Sequence, residues 1–516
     1  MLTKLARLGM GLAAIVLAGT TVALAETSAT PAHTTVAQAS AQAKATPNPF
    51  SYKGYVRAYD FTRQNASGNT PGVNQQSFNA ALNLHGEYKF TNSGFSVGAT
   101  YLYANPLNNC TTAQSHFTPP CGNNKAPGIN PDDTLPGYEL NTLYEAYLGF
   151  NDKTTHGKLG YQVFNSPWAN ASDSRLKPVA FLGGDLGFKF NSNWNGEIGY
   201  FDGFEDRASS QFFRSTLLTY SPVDAPGYTS LASSTTTNKY VGLDNSGFFY
   251  GRVGYTGPKS SPLAANLYYY GVSDIANILW LDAKYPFAGK LHPFVAGQFG
   301  TEKSTGAAQV GLIDSQVFGL QGGFNPMQNV TVTLGYNHIP SKTANVTLPA
   351  GVICSASHTL PNGKGIPYFI PAGGTPSCVA GATPGTATIY YGGWASPYTD
   401  SYATDPLFTT AISQGMADRR AFGDGAKLAV TFTSNDKRFV ATVARALYAY
   451  GNSAVGVSPT QETNFDTMYY FNKMPKSGGY KGFMVRYRYA ERTQTFTYAG
   501  GLPLFKYNRF QAEYDF

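Results

Sequence analysis

The chain has 516 residues and a formal net charge of +7, with 13% charged, 42% hydrophobic and 14% aromatic residues. Soluble domains average about 25% charged residues, so this composition argues against an ordinary water-coated surface. The basic residues are scattered, with no Lys/Arg-rich run, which argues against a nucleic-acid partner.

Residues 1–25 read as a secretory signal. Lys4 and Arg7 charge its start, an apolar run extends from Leu8 to Leu24, and Ala23 and Ala25 form a small-x-small cleavage pattern. Gly19, Thr20 and Thr21 interrupt the run, leaving it short of the roughly 20 apolar residues of a membrane helix. Residues 26–50 are rich in Ala, Thr, Ser and Gln, carry Pro31, Pro47 and Pro49, and predict a flexible tether. No other long apolar run follows. A closed β-barrel also satisfies every backbone hydrogen bond in lipid, and its strands show only alternation.

From 51 to 516 the pattern predicts an all-β transmembrane antiparallel β-barrel. In Ser77–Phe90, Phe78, Ala80, Leu82, Leu84, Gly86, Tyr88 and Phe90 suit lipid, while Ser77, Asn79, Ala81, Asn83, His85, Glu87 and Lys89 suit water. Thr91–Gly94 then turns tightly into Phe95–Ala104. Asn329–Asn337 and Gly425–Thr433 repeat the alternation. Tight turns are expected near Asn92, Asp152, Asn191, Ser273, Asn325 and Asn435, and long loops near Leu107–Gly137, Asp206–Asn245 and Ile339–Gly423. Short periplasmic turns, long extracellular loops and about 18 strands fit a bacterial barrel. Two local cysteine pairs, Cys110 with Cys121 and Cys354 with Cys378, lie in Gly/Pro/Asn-rich stretches and suggest loop disulfides in an oxidising compartment. No CxxC spacing or adjacent His supports a metal site.

The last strand sets Phe510, Ala512, Tyr514 and Phe516 toward lipid, against Arg509, Gln511, Glu513 and Asp515. An aromatic terminus after alternating aromatics looks like the signal by which barrel assembly machinery recognises outer-membrane barrels. In Gly482–Arg492 the even positions hold Arg486, Arg488 and Arg492, the odd ones Phe483, Val485, Tyr487 and Tyr489. A cation on the lipid face near the midplane costs about 2–4 kcal/mol, which turns the arginines toward the lumen. Arg509 on the next strand and Arg57 on the first, brought together by closure, complete a wall of five guanidiniums, with Lys427 and Arg445 on nearby strands. Such a wall attracts carboxylates and phosphates. The same arginines could instead brace the barrel against Glu513 and Asp515.

Gly157–Gln162 followed by Ser172-Asp-Ser-Arg-Leu-Lys-Pro-Val-Ala-Phe181 resembles the OprD family of substrate-specific outer-membrane porins, with Asp173, Arg175, Leu176, Pro178 and Phe181 matching its third-loop run. Trp394, Pro397 and Tyr398, then Ala421–Gly425, resemble its passage from the seventh loop into a strand. Val485–Tyr489 is similar to a late family strand. The two cysteine pairs are not a general family feature. The resemblance implies a constriction made by the inward-folded loop Ser166–Leu182, and a basic ladder facing electronegative groups, where Asp173 and Asp185 would stand. Asp173 and Arg175 fit solute contact or a mutual loop anchor.

No G-x-S-x-G, H-E-x-x-H or Walker pattern is present, and no cofactor is expected. The reading is a passive channel for small polar or anionic solutes, set in outer-membrane lipid as a monomer or homotrimer. The alternative is a surface adhesin or structural barrel acting through its long loops.

Overall fold

The computed structural model describes residues 48–64, 75–91, 93–107, 139–172, 175–207, 209–214, 216, 247–306, 313–348, 352–353, 379–380, 385–399, 404–419, 422–450, 460–473, 479–493 and 504–516. The expected signal, nearly all of the tether, all four cysteines and Asp173 lie outside the described residues.

Eighteen strands form one sheet. They are β1 Phe50–Gln64, β2 Gln75–Lys89, β3 Phe95–Pro106, β4 Leu140–Asn151, β5 Thr155–Gln162, β6 Ala180–Lys189, β7 Trp194–Glu205, β8 Phe248–Thr256, β9 Ala264–Val272, β10 Ala276–Pro286, β11 Phe294–Ser304, β12 Asp314–Met327, β13 Val330–Ile339, β18 Gly423–Thr433, β19 Phe439–Tyr450, β20 Thr460–Tyr470, β21 Gly482–Arg492 and β22 Phe505–Asp515. Between β13 and β18 two short ribbons pair β14 Lys342–Leu348 with β17 Gly385–Tyr391, and β15 Val352–Ile353 with β16 Val379–Ala380. β1 pairs antiparallel with both β2 and β22, which closes the barrel and leaves it no free edge.

The alternation sorts as the sequence predicts. On β2, Ser77, Asn79, Ala81, Asn83 and His85 are buried inside, while Leu84 and Tyr88 are exposed outside. On β21, Gly482, Met484, Arg486, Arg488, Ala490 and Arg492 all face the interior.

Turn chemistry fixes one end. The Asp152 carboxylate accepts from the backbone N–H groups of Thr154 and Thr155, both at 2.7 Å. Asn191 Oδ1 does the same for Asn193 and Trp194, at 2.8 and 2.9 Å, as Asx side chains do in tight turns. Aromatic pairs belt this end: Phe95 with Phe150, Trp194 with Tyr255, and Phe471 with Phe483, with ring centroids 4.9, 4.8 and 5.1 Å apart. Both chain ends of the barrel, Phe50 and Phe516, lie here too.

One expected turn is misplaced. Ser273 lies between β9 and β10, which puts it at the opposite end, with the long connections. Ser273 donates its N–H to the Gly247 carbonyl at 3.0 Å there. Turn residues disclose a reversal but not its end; strand parity decides that, and it adds 257–263 and 287–293 to the turns at the belted end.

Candidate functional site: the barrel interior

Among the described residues, two irregular segments in particular occupy the interior. The first runs from β5 to β6. Trp168, Ala169, Leu176 and Val179 bury their apolar side chains in it, and Arg175 and Lys177 are fully enclosed. It is pinned by side chains from the wall. The Tyr55 hydroxyl donates to the Leu176 carbonyl at 2.6 Å, and Arg57 donates to the Arg175 carbonyl at 2.7 Å. The Lys177 ammonium meets Glu205 at 3.0 Å and the Asp206 carbonyl at 2.8 Å. The inward loop is expected over Ser166–Leu182, and of that range Ala180–Leu182 already belong to β6.

The second segment, leading from β17 into β18, carries an internal packing role that sequence reasoning gave only as a family likeness at Trp394 and Tyr398. Wall residues hold its backbone. Ser315 Oγ donates to the Gly392 carbonyl at 2.6 Å, and Glu302 accepts the Ala395 N–H at 2.8 Å. Asn337 Oδ1 accepts the Thr409 N–H at 3.0 Å, and Glu462 accepts the N–H and hydroxyl of Ser413 at 3.0 and 2.7 Å. The two segments also meet each other: Ala169 bridges Tyr398 in parallel, and the Asn170 amide donates to the Thr404 carbonyl at 2.9 Å. Among the described residues, the filling of the barrel therefore comes from more than the single expected loop.

Their meeting point is aromatic. Trp168, Trp280 and Trp394 pack with centroids 5.0–6.0 Å apart. Gly300 makes room for them, since a Cβ there would lie 2.7 Å from the Trp394 ring and 2.8 Å from the Trp280 ring.

The basic wall stands where the alternation puts it. Arg57, Arg486, Arg488, Arg492 and Arg509 are all buried on the inner faces of β1, β21 and β22, and the register sets Arg488 opposite Arg509 and Arg57 opposite Glu513. Each guanidinium is held. Arg486 grips Asp466 through two bonds of 2.8 and 2.6 Å, and Arg488 reaches the same carboxylate at 2.7 Å. Arg57 pairs with Glu513 and lies 4.1 Å over the Tyr55 ring. Arg509 donates to Gln511 at 2.9 Å and lies 4.6 Å over Tyr59. Arg492 and Lys427 donate to the carbonyls of Ser413 and Thr410, both at 2.5 Å. Glu513 thus braces as one expected alternative had it. The chief brace for Arg486 and Arg488 is Asp466, which sequence reasoning missed, although Glu462, Asn464 and Asp466 alternate on β20 beside the arginine strand.

Two expected positions change, those of Asp185 and Arg445. Arg175 packs 4.7 Å over Phe61 of β1, on the same side as the basic wall. Asp185 faces inward on β6, only six strands round the ring from β22, at the level of Lys158. Arg445 points outward: it shares a face with exposed Val443 and Leu447 on β19 and donates to Thr463 at 2.7 Å and Gln461 at 2.5 Å.

On the described stretch β20, β21, β22 and β1, the inward cations Arg57, Arg63, Arg486, Arg488, Arg492 and Arg509 outnumber the inward carboxylates Glu462, Asp466, Glu513 and Asp515. Such an excess in a confined interior favours anions.

The same fold occurs in solved outer-membrane proteins. OpdK from Pseudomonas aeruginosa matches with a TM-score of 0.58 at 14% identity, over 90% of this chain and 98% of that one. OccAB4 from Acinetobacter baumannii matches at 0.59 and 14% identity, over 91% of this chain and 100% of that one. OccK2 (OpdF) from Pseudomonas aeruginosa, solved in complex with glucuronate, matches at 0.56 and 13% identity, over 90% and 97%. No family model and no curated protein matches the sequence.

Proposed function

We propose that this chain is an outer-membrane porin through which small anionic or polar solutes diffuse passively. Residues 1–25 direct export, residues 26–50 tether the barrel, and Phe516 serves recognition by the assembly machinery. The outward apolar residues, Leu143, Ile198, Leu267 and Leu320 among them, meet lipid. The two inward segments narrow the lumen, and the arginine wall sets the preference of charge. The observation that carries this reading is the inward placement of Arg486 and Arg488 within a closed 18-stranded ring. The substrate class that fits is a small carboxylate, because a guanidinium fork recognises a carboxylate through two parallel bonds. Glucuronate, present in the OccK2 structure, belongs to that class.

The test is the reversal potential of the reconstituted protein in a salt gradient. Wild type is expected to prefer anions, and Arg486→Ala/Arg488→Ala to lose much of that preference. Unchanged anion permeability in the double variant would sink the arginine assignment, and absence of conductance would sink the channel.

A further inference from the structure

The outer wall of this barrel is uneven. On β3 to β12, exposed mid-strand positions are apolar, as at Leu148, Val253 and Leu281. On β13 and β18 to β20 the outer face carries His338, Asp424, Arg445, Gln461 and Thr463. Arg445 is the odd one. It stands six residues above Phe439 of the aromatic belt, near the middle of its 12-residue strand. Its partners are neutral, and among the described residues it makes no ion pair.

Facing acyl chains at that depth, a guanidinium costs about 2–4 kcal/mol. A neighbour that supplies a carboxylate at the right height removes the cost. The Arg445 side chain reaches up to Gln461, eight residues above Tyr469 of the belt. Asp424 stands eight residues above Phe432 of the same belt, on the adjacent strand, and its side chain is 50% exposed. Its nearest partners are Tyr336 and His338, and among the described residues no arginine or lysine pairs with it. Guanidinium and carboxylate therefore share one face and one height.

Symmetric assembly in a membrane turns copies about an axis along the bilayer normal, so contacts join residues of equal height. A two-fold contact is reciprocal. We propose that the outer face of β18 and β19 docks against a second copy of this chain, Arg445 of each copy meeting Asp424 of the other. The proposal rests on the membrane placement above, not on the channel activity.

Sedimentation velocity in mild detergent tests it, with heat-modifiable gel mobility as the check on barrel folding. Wild type is expected to sediment as a dimer. Arg445→Asp should raise the dissociation constant by at least about tenfold, and Arg445→Asp/Asp424→Arg should restore association. A monomeric wild type, or a double variant no tighter than the single one, overturns the interface. Anionic lipid co-purifying with a monomeric wild type and lost in Arg445→Leu overturns it in favour of a phosphate ligand. Failure of the protein to float with membranes overturns the placement itself.

Discussion

Arg57, on the first strand, donates a hydrogen bond of 2.7 Å to the backbone carbonyl of Arg175, in the inward loop. The same guanidinium pairs with Glu513 on the last strand. One side chain thus ties the closing seam of the barrel to the segment that fills it. Arg57→Met is expected to leave the Glu513 carboxylate without its counter-charge, held by the Gln511 amide, and to release the loop carbonyl, at a cost of about 3 kcal/mol or more for a broken buried ion pair. Single-channel recordings should show a larger, noisier open current, and the denaturant midpoint should fall. A quiet current of wild-type size would show that the loop holds without this contact.

Asp466 is shared by two arginines, Arg486 and Arg488. Asp466→Asn adds one net positive charge to the wall while keeping a polar group of the same shape. In an aqueous lumen a unit charge at 4 Å is worth about 1 kcal/mol, or about fivefold, for each ion, so the anion-to-cation permeability ratio should rise by at least about fivefold. Reversal potentials measure this directly, and a shift toward cations would contradict it.

The fold was legible wherever side chains alternate. Gly482–Arg492 reads as one strand from its periodicity, and β21 has those bounds. The inward position of Arg486 and Arg488 followed from the same rule. Arg445 departs from the grouping that sets it beside Lys427 near the basic wall: Val443, Arg445 and Leu447 share a face, so alternation points Arg445 outward. The segment holding Trp394 and Ser413 was legible only by likeness, because its backbone is irregular and its anchors, Glu302, Asn337 and Glu462, come from three separate strands. No local pattern encodes contacts of that range.

Gly300 is confined by the rings of Trp280 and Trp394. Gly300→Val should force the second segment away from the wall, with an overpacking cost of about 1–3 kcal/mol. Near-UV circular dichroism should lose intensity as the Trp168–Trp280–Trp394 packing loosens. Trp394→Ala, which removes the ring instead, should weaken the same signal and cost about 3–5 kcal/mol. Full retention of the wild-type spectrum in both variants would exclude a structural role for the cluster.

The small ribbon between β13 and β18 pairs Ile353 with Val379. Cys354 follows the first and Cys378 precedes the second in sequence, and the two form one of the local pairs expected as loop disulfides. Non-reducing peptide mapping should recover Cys354 linked to Cys378, and Cys110 linked to Cys121. Closing a loop of this length stabilises by about 3 kcal/mol in the chain-entropy view, so Cys354→Ser/Cys378→Ser should make this connection an earlier target for protease. Recovery of four free thiols from non-reduced protein would refute both pairings.

Turns at the belted end give a pH dependence with a definite sign. Asp152 accepts the N–H groups of Thr154 and Thr155, which hold its carboxyl below the usual range. Asp436 accepts from the Ser434 hydroxyl at 2.6 Å and the Arg438 guanidinium at 2.6 Å, with the same result. A carboxyl whose folded value is depressed stabilises the fold above its unfolded value of about 4, and that contribution disappears as pH falls below it. Folding yield into liposomes should therefore drop for wild type between about pH 5 and pH 3. Asp152→Asn/Asp436→Asn should start lower at neutral pH and lose less across the window, because its turns no longer titrate. Parallel pH profiles for the two proteins would assign the acid sensitivity to carboxylates elsewhere in the barrel.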